Sequence, residues 1–87
     1  MSKSEKLVKR FKTVPSDFTW NEFVKIMSLH GYLVSNAKGG SGRKFINKST
    51  SLSMLFHEPH PEKVMKRCYI REVIQHFNDN KVWLEDE

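Results

Sequence analysis

The feature that most constrains the fold is a change of hydrophobic period at Gly31. Ahead of it, Trp20, Phe23, Val24 and Met27 recur at i, i+3, i+4 and i+7, the spacing of one helical face. Beyond it the chain breaks into short runs, "YLVS", "RKFIN" and "LSMLF", the last with Leu52, Met54 and Phe56 on one side of a two-residue repeat. A period of 3.6 followed by a period of 2 requires a helix and a sheet that bury apolar faces against each other. The boundaries carry their own signals. "TWNE" is a capping box in which the Thr19 side chain accepts from the Glu22 amide while Glu22 reaches back. Gly31, directly after His30, is a natural helix stop.

Two further helices flank this unit. Residues 4–12 place Leu7, Val8 and Phe11 at helical spacing among lysines, and Pro15 in "TVPSD" ends that helix. Near the other end Ile70, Val73, Ile74 and Phe77 form an apolar stripe closed by "NDN", after which Trp83 and Leu84 are expected to fold back on the body. Between the runs lie "NAKGGSG", the polar turn "NKSTS" and "HEPHPEK", where Pro59 and Pro61 forbid regular structure. The expected architecture is α+β, in the order α-α-β-β-β-α. Helices cover one face of a three-stranded antiparallel sheet, and the other face stays open and presents Arg43. Residues 1–18 read as an N-terminal helical extension and residues 19–87 as the main body of one compact domain.

Eighty-seven residues fit one domain with a modest core, and ten aromatic side chains argue against disorder. Fifteen Lys and Arg against ten Asp and Glu give a net charge of +5, which favours an anionic partner, nucleic acid above all. The alternative is a charge that serves solubility alone. No apolar run approaches a membrane span and no signal-peptide core is present, so no membrane partner and a cytoplasmic location are expected. The single cysteine, Cys68, excludes an internal disulfide and is expected to be a buried structural thiol.

The order of elements and four motifs together resemble the HicA toxin family of bacterial toxin–antitoxin systems. The motifs are the helix ending in "HGY", the "GGSGRKF" that opens the second strand, "LFHEPHP" after the third, and "YIREVIQHF" in the final helix. The resemblance covers residues 19–78, and the amino-terminal segment resembles the extra helix of a longer subgroup. It implies a fold similar to double-stranded-RNA-binding domains, ribosome-independent mRNA cleavage and neutralisation by a HicB-type antitoxin. In many family members the strand-opening motif reads Gly-Ser-His and the histidine carries the cleavage chemistry. Here Gly40 and Ser41 match the first two positions and Gly42 stands where the histidine would. Glycine has no side chain to accept a proton, so the family's general base is missing.

Attack by a ribose 2′-hydroxyl needs a proton acceptor, and imidazole suits the role near neutral pH. His30 ends a helix, where a cation would favour the dipole, and His76 is expected on a helix surface. His57 and His60, in the proline-stiffened "HEPHP", are the candidate proton carriers. Their alternatives are phosphate contact, antitoxin contact or plain hydrogen bonding to the backbone. Arg43 or Lys44 would stabilise the phosphorane. Lys38, Ser41, Arg43, Lys44 and Lys66 are the candidate nucleic-acid contacts, with Lys48, Lys63 and Arg67 extending a basic rim at the same end. His57-x-x-His60 with Glu58 has too few ligands and the wrong spacing for a zinc site, and "GGSGRK" lacks the Walker A spacing. No metal or cofactor is expected. Two readings stay open: an RNA-binding toxin component that cleaves mRNA, or a catalytically inactive module that binds RNA or protein.

Overall fold

Thr19 starts the helix that organises the molecule. Its hydroxyl accepts from the Glu22 N–H at 3.2 Å while Glu22 Oε1 accepts from the Thr19 N–H at 3.0 Å, so the capping box is complete. The computed structural model describes residues 3–36, 42–59 and 63–83. They form α1 (Lys3–Lys12), α2 (Trp20–Leu29), β1 (Tyr32–Asn36), β2 (Gly42–Asn47), β3 (Ser53–His57) and α3 (Arg67–Asn80). The α+β order α-α-β-β-β-α is therefore as the periodicities predict. The strands make one antiparallel sheet in the order β1-β2-β3.

Asn47 joins helix to sheet. Its side-chain N–H donates to the His30 carbonyl at 3.2 Å, and its Oδ1 accepts from the backbone N–H groups of Ser49 and Thr50. One buried amide thus closes the end of α2 and shapes the turn between β2 and β3. Gly31 sits at φ +87°, a left-handed conformation that a side chain would strain, and it brings the chain out of α2 directly into β1.

The core lies between the helices and one sheet face. Phe23 packs edge-on against Phe45 at 5.3 Å and Phe56 at 5.4 Å, tying α2 to β2 and β3. Tyr32 stacks on Phe77 at 5.6 Å, tying β1 to α3. Val8 and Phe11 of α1 join the same cluster through Phe18 and Phe23. Each such ring, fully buried, contributes about 1.5–3 kcal/mol of transfer free energy. Two ion pairs hold α1 in place, with Arg10 donating to Glu22 at 2.7 Å and to Asp17 at 2.8 Å. Residues 63–65 are strapped to the start of α2: the Trp20 N–H donates to the Lys63 carbonyl and the Met65 N–H to that of Phe18.

Two expectations are corrected here. Arg43 does not face the open side of the sheet. Phe45 is buried and Arg43 lies two residues away, opposite Phe56, so the period of the strand turns it to the helix-covered face. Cys68 is exposed rather than buried, because the stripe of Ile70, Val73 and Phe77 leaves it on the far side of α3. Trp83 does pack back, against Phe77 at 5.0 Å and Phe11 at 6.4 Å, whereas Leu84 lies outside the described residues.

Candidate nucleic-acid interface

The open face of the sheet is built from the residues alternate to the core set. By register these are Leu33, Ser35, Gly42, Lys44, Ile46, Ser53, Leu55 and His57. Lys44 is exposed, with Ser35 on one side and Leu55 on the other. At the end of the sheet Gly42 and His57 are direct partners across β2 and β3. Gly42 is outside the left-handed region; among the described residues Gly31 alone of the glycines has positive φ. At Gly42, which has no side chain, an exposed histidine thus stands opposite on the neighbouring strand.

Around the β3 edge, His57, Glu58, Pro59, Lys66 and Tyr69 line a shallow depression of about 220 Å³. Lys66 is the residue at which α3 begins. Its ammonium lies 5.7 Å from the centre of the Tyr69 ring. The first turn of α3 holds no acidic side chain, so the partial positive charge of the helix start is not offset there. Among the described residues Glu58 is the one acid of the depression. It is only 14% exposed and takes Arg43 at 3.1 Å and Lys63 at 3.5 Å.

These contacts redistribute the predicted cations. Lys44 and Lys66 are exposed toward solvent near His57. Arg43 is engaged by Glu58, and the Arg67 Nε–H donates to the Val14 carbonyl at 3.0 Å, stapling α3 to the α1–α2 connection. Lys48 follows β2 at the end away from Gly42, so it does not extend the rim at the same end as expected. Lys38, Ser41 and His60 lie outside the described residues. Among the described residues no three His, Cys, Asp or Glu side chains gather as a metal cluster, and no helix is long and apolar enough to cross a membrane.

His30 and His76 are tied into the body of the domain. His30 is buried, and its Nδ1–H donates to the Ile26 carbonyl at 2.7 Å. Its Nε2 has no hydrogen-bond partner, and its ring packs on Phe77 and Trp83. Burial, aided by nearby Lys12, pushes its pKa below the ordinary value despite that backbone bond. His30 is thus a neutral core residue and not the helix-terminal cation expected. His76 is half-buried, and its Nε2 is 2.9 Å from the hydroxyl of Tyr32, whose pKa burial raises. Among the described histidines His57 is the exposed one, and it lines the depression.

No protein-family model matches the chain, no curated protein matches its sequence, and no solved structure matches its fold. The HicA resemblance rests on the quoted motifs alone. Sequence reasoning missed the roles of Glu58 and Tyr69. For Glu58 a signal existed: an acid set among Arg43, Lys63 and Lys66 is a natural counter-ion for one of them. Tyr69 lies at i+3 from Lys66, a local helical spacing, but its place beside His57 carried no signal, since that depends on how α3 crosses the sheet.

Proposed function

We propose that this chain is a HicA-like toxin component that binds mRNA and cleaves it, with His57 in the role of the missing base. The observation that carries the reading is the direct pairing of His57 with Gly42 across the two strands. An imidazole reaching over the glycine from the neighbouring strand can stand near the place where the family's histidine would project. In the reaction His57 takes the proton of the ribose 2′-hydroxyl, and the 2′-oxygen bonds to phosphorus. The bond from phosphorus to the 5′-oxygen breaks, and that oxygen takes a proton, for which His60 is the candidate donor. Lys44 stabilises the charge on the phosphorane, and Lys66 with the start of α3 holds an adjoining phosphate. The phosphorane role passes to Lys44 because Glu58 already engages Arg43. A fold similar to double-stranded-RNA-binding domains, a cytoplasmic site of action and a HicB-like antitoxin that covers this surface complete the proposal.

A second reading, a protein-binding module without chemistry, is favoured by the exposed Leu33, Val34 and Leu55. Induced expression separates the two. The natural chain should arrest growth and fragment mRNA, and His57→Ala should cut cleavage by about 100-fold or more. Intact mRNA and unchanged growth with soluble natural chain would refute the nuclease reading. Equal cleavage by His57→Ala would remove His57 from the chemistry. Gain of cleavage in Gly42→His, on an inactive natural chain, would show a preserved site that lacks its base. RNA affinity should fall steeply with salt, and a flat salt dependence would contradict the phosphate contacts.

A further inference from the structure

β1 is an edge of the sheet, and among the described residues no strand pairs with its outer side; Leu33 is 52% and Val34 42% exposed. Proteins blunt such edges with lysine, proline, bulges or covering segments. "YLVSN" has neither lysine nor proline, and its register with β2 runs unbroken from Tyr32 to Asn36. Beside it lies a groove of about 190 Å³ between α2 and β1, lined by Val24, Ser28, Tyr32, Leu33, Val34 and Phe45. Its lining is almost wholly apolar, and it has room for one bulky apolar side chain.

The surroundings define the charge of the occupant. Lys25 is exposed next to Val24, Lys44 faces solvent opposite Ser35, and Lys48 follows the residue that pairs with Tyr32. Across α2, β1 and β2 the one acidic residue is Glu22, which is committed to Thr19 and Arg10. We propose that β1 accepts an extended acidic segment of a protein partner as a fourth strand, with one apolar side chain anchored in the groove. Backbone hydrogen bonds supply the pairing, the groove fixes the register and the lysines select for acid. A second copy of this chain would set the same lysines against each other, and a nucleic acid cannot extend the strand ladder. The site is on the sheet edge opposite His57, so it stands whether or not the chain acts on RNA.

The test uses the full isotope-labelled chain, titrated with an eight-residue peptide that alternates glutamate with valine around one central phenylalanine. Saturable amide shifts over residues 32–36 and 24–28, with β3 unmoved, are the expected result. A peptide N-methylated at alternate positions and a peptide with lysine for glutamate should each bind at least about tenfold more weakly, since one loses the ladder and the other the charge match. Val34→Lys should weaken binding to a similar extent by blunting the edge. Lys25→Glu, on an exposed helix position, should weaken it several-fold at low salt with unchanged melting, which separates lost binding from lost folding. Absence of shifts at millimolar peptide, equal binding of the lysine peptide, or self-association of the free chain through β1 would each overturn the proposal.

Discussion

Replacing Glu58 by glutamine tests both the packing of the candidate site and its proposed ligand. The carboxylate holds Arg43 at 3.1 Å with side-chain exposures of 14% for Glu58 and 24% for Arg43. At an effective dielectric constant of 20, opposite charges about 4 Å apart attract by roughly 4 kcal/mol. Desolvation and side-chain ordering offset most of that. Exposed pairs net about 0–1 kcal/mol, whereas removing one member of a fully buried pair costs about 3–5 kcal/mol. A pair of intermediate burial should lie between, at about 1–2 kcal/mol. The Lys63 contact, at 3.5 Å and with its side chain 58% exposed, adds a few tenths at most. For a domain of this size the loss corresponds to a drop in Tm of about 4–16 °C.

Urea unfolding followed by tryptophan fluorescence, on Glu58→Gln, Arg43→Gln and the double variant, measures the coupling directly. The same substitution removes the carboxylate that competes with phosphate for Arg43. RNA affinity should therefore rise as stability falls, and the salt dependence should steepen by about one phosphate contact. A coupling within about 0.3 kcal/mol of zero would refute the assignment of Glu58 as the counter-ion. Weaker RNA binding by a folded Glu58→Gln chain would refute the placement of phosphate at this end of the sheet.

Two further outcomes follow from the same framework. Thr19→Ala removes the acceptor of the Glu22 N–H and half of the capping box, so it should cost about 1 kcal/mol in denaturant unfolding and lower the helical circular dichroism signal only slightly. His30 gives a pH dependence: its folded pKa is depressed below the ordinary 6.5, so the unfolded chain takes up a proton that the folded chain refuses. Its contribution is complete above about pH 6.5 and is lost as the pH falls below that value, and His30→Leu should flatten that part of the stability profile.

The fold was legible because local signals agreed with the global arrangement. The box at Thr19, the left-handed Gly31 and the change of period each marked a boundary that the structure keeps. The face of Arg43 was also written in the chain: a residue two positions from a buried Phe45 shares its side of the strand. Charge argued for the open face and parity for the covered one, and parity prevailed because burial of Phe45 is worth about 1.5–3 kcal/mol while Arg43, still partly exposed, has its lost hydration offset by pairing with Glu58. The buried state of His30 was not legible. It depends on α3 bringing Phe77 and Trp83 over the end of α2, a contact between segments far apart in sequence.

The pairing of Gly42 with His57 lies between these cases. Phe45 and Met54 must share the covered face, so the position numbers of paired residues on β2 and β3 must sum to an odd value. That condition alone puts His57 on the same face as Gly42, whichever odd register the turn selects. What it leaves undetermined is distance, since a shift of two residues would carry His57 beyond Gly42 along the sheet. The turn decides it: the Asn47 side chain accepts from two turn amides, while the Asn47 N–H donates to the Leu52 carbonyl. Asn47→Ala should therefore disturb any chemistry that depends on the Gly42–His57 pair, although neither residue touches the substitution. If the variant stays folded and a cleavage activity of the natural chain survives undiminished, the strand register is not what positions that chemistry.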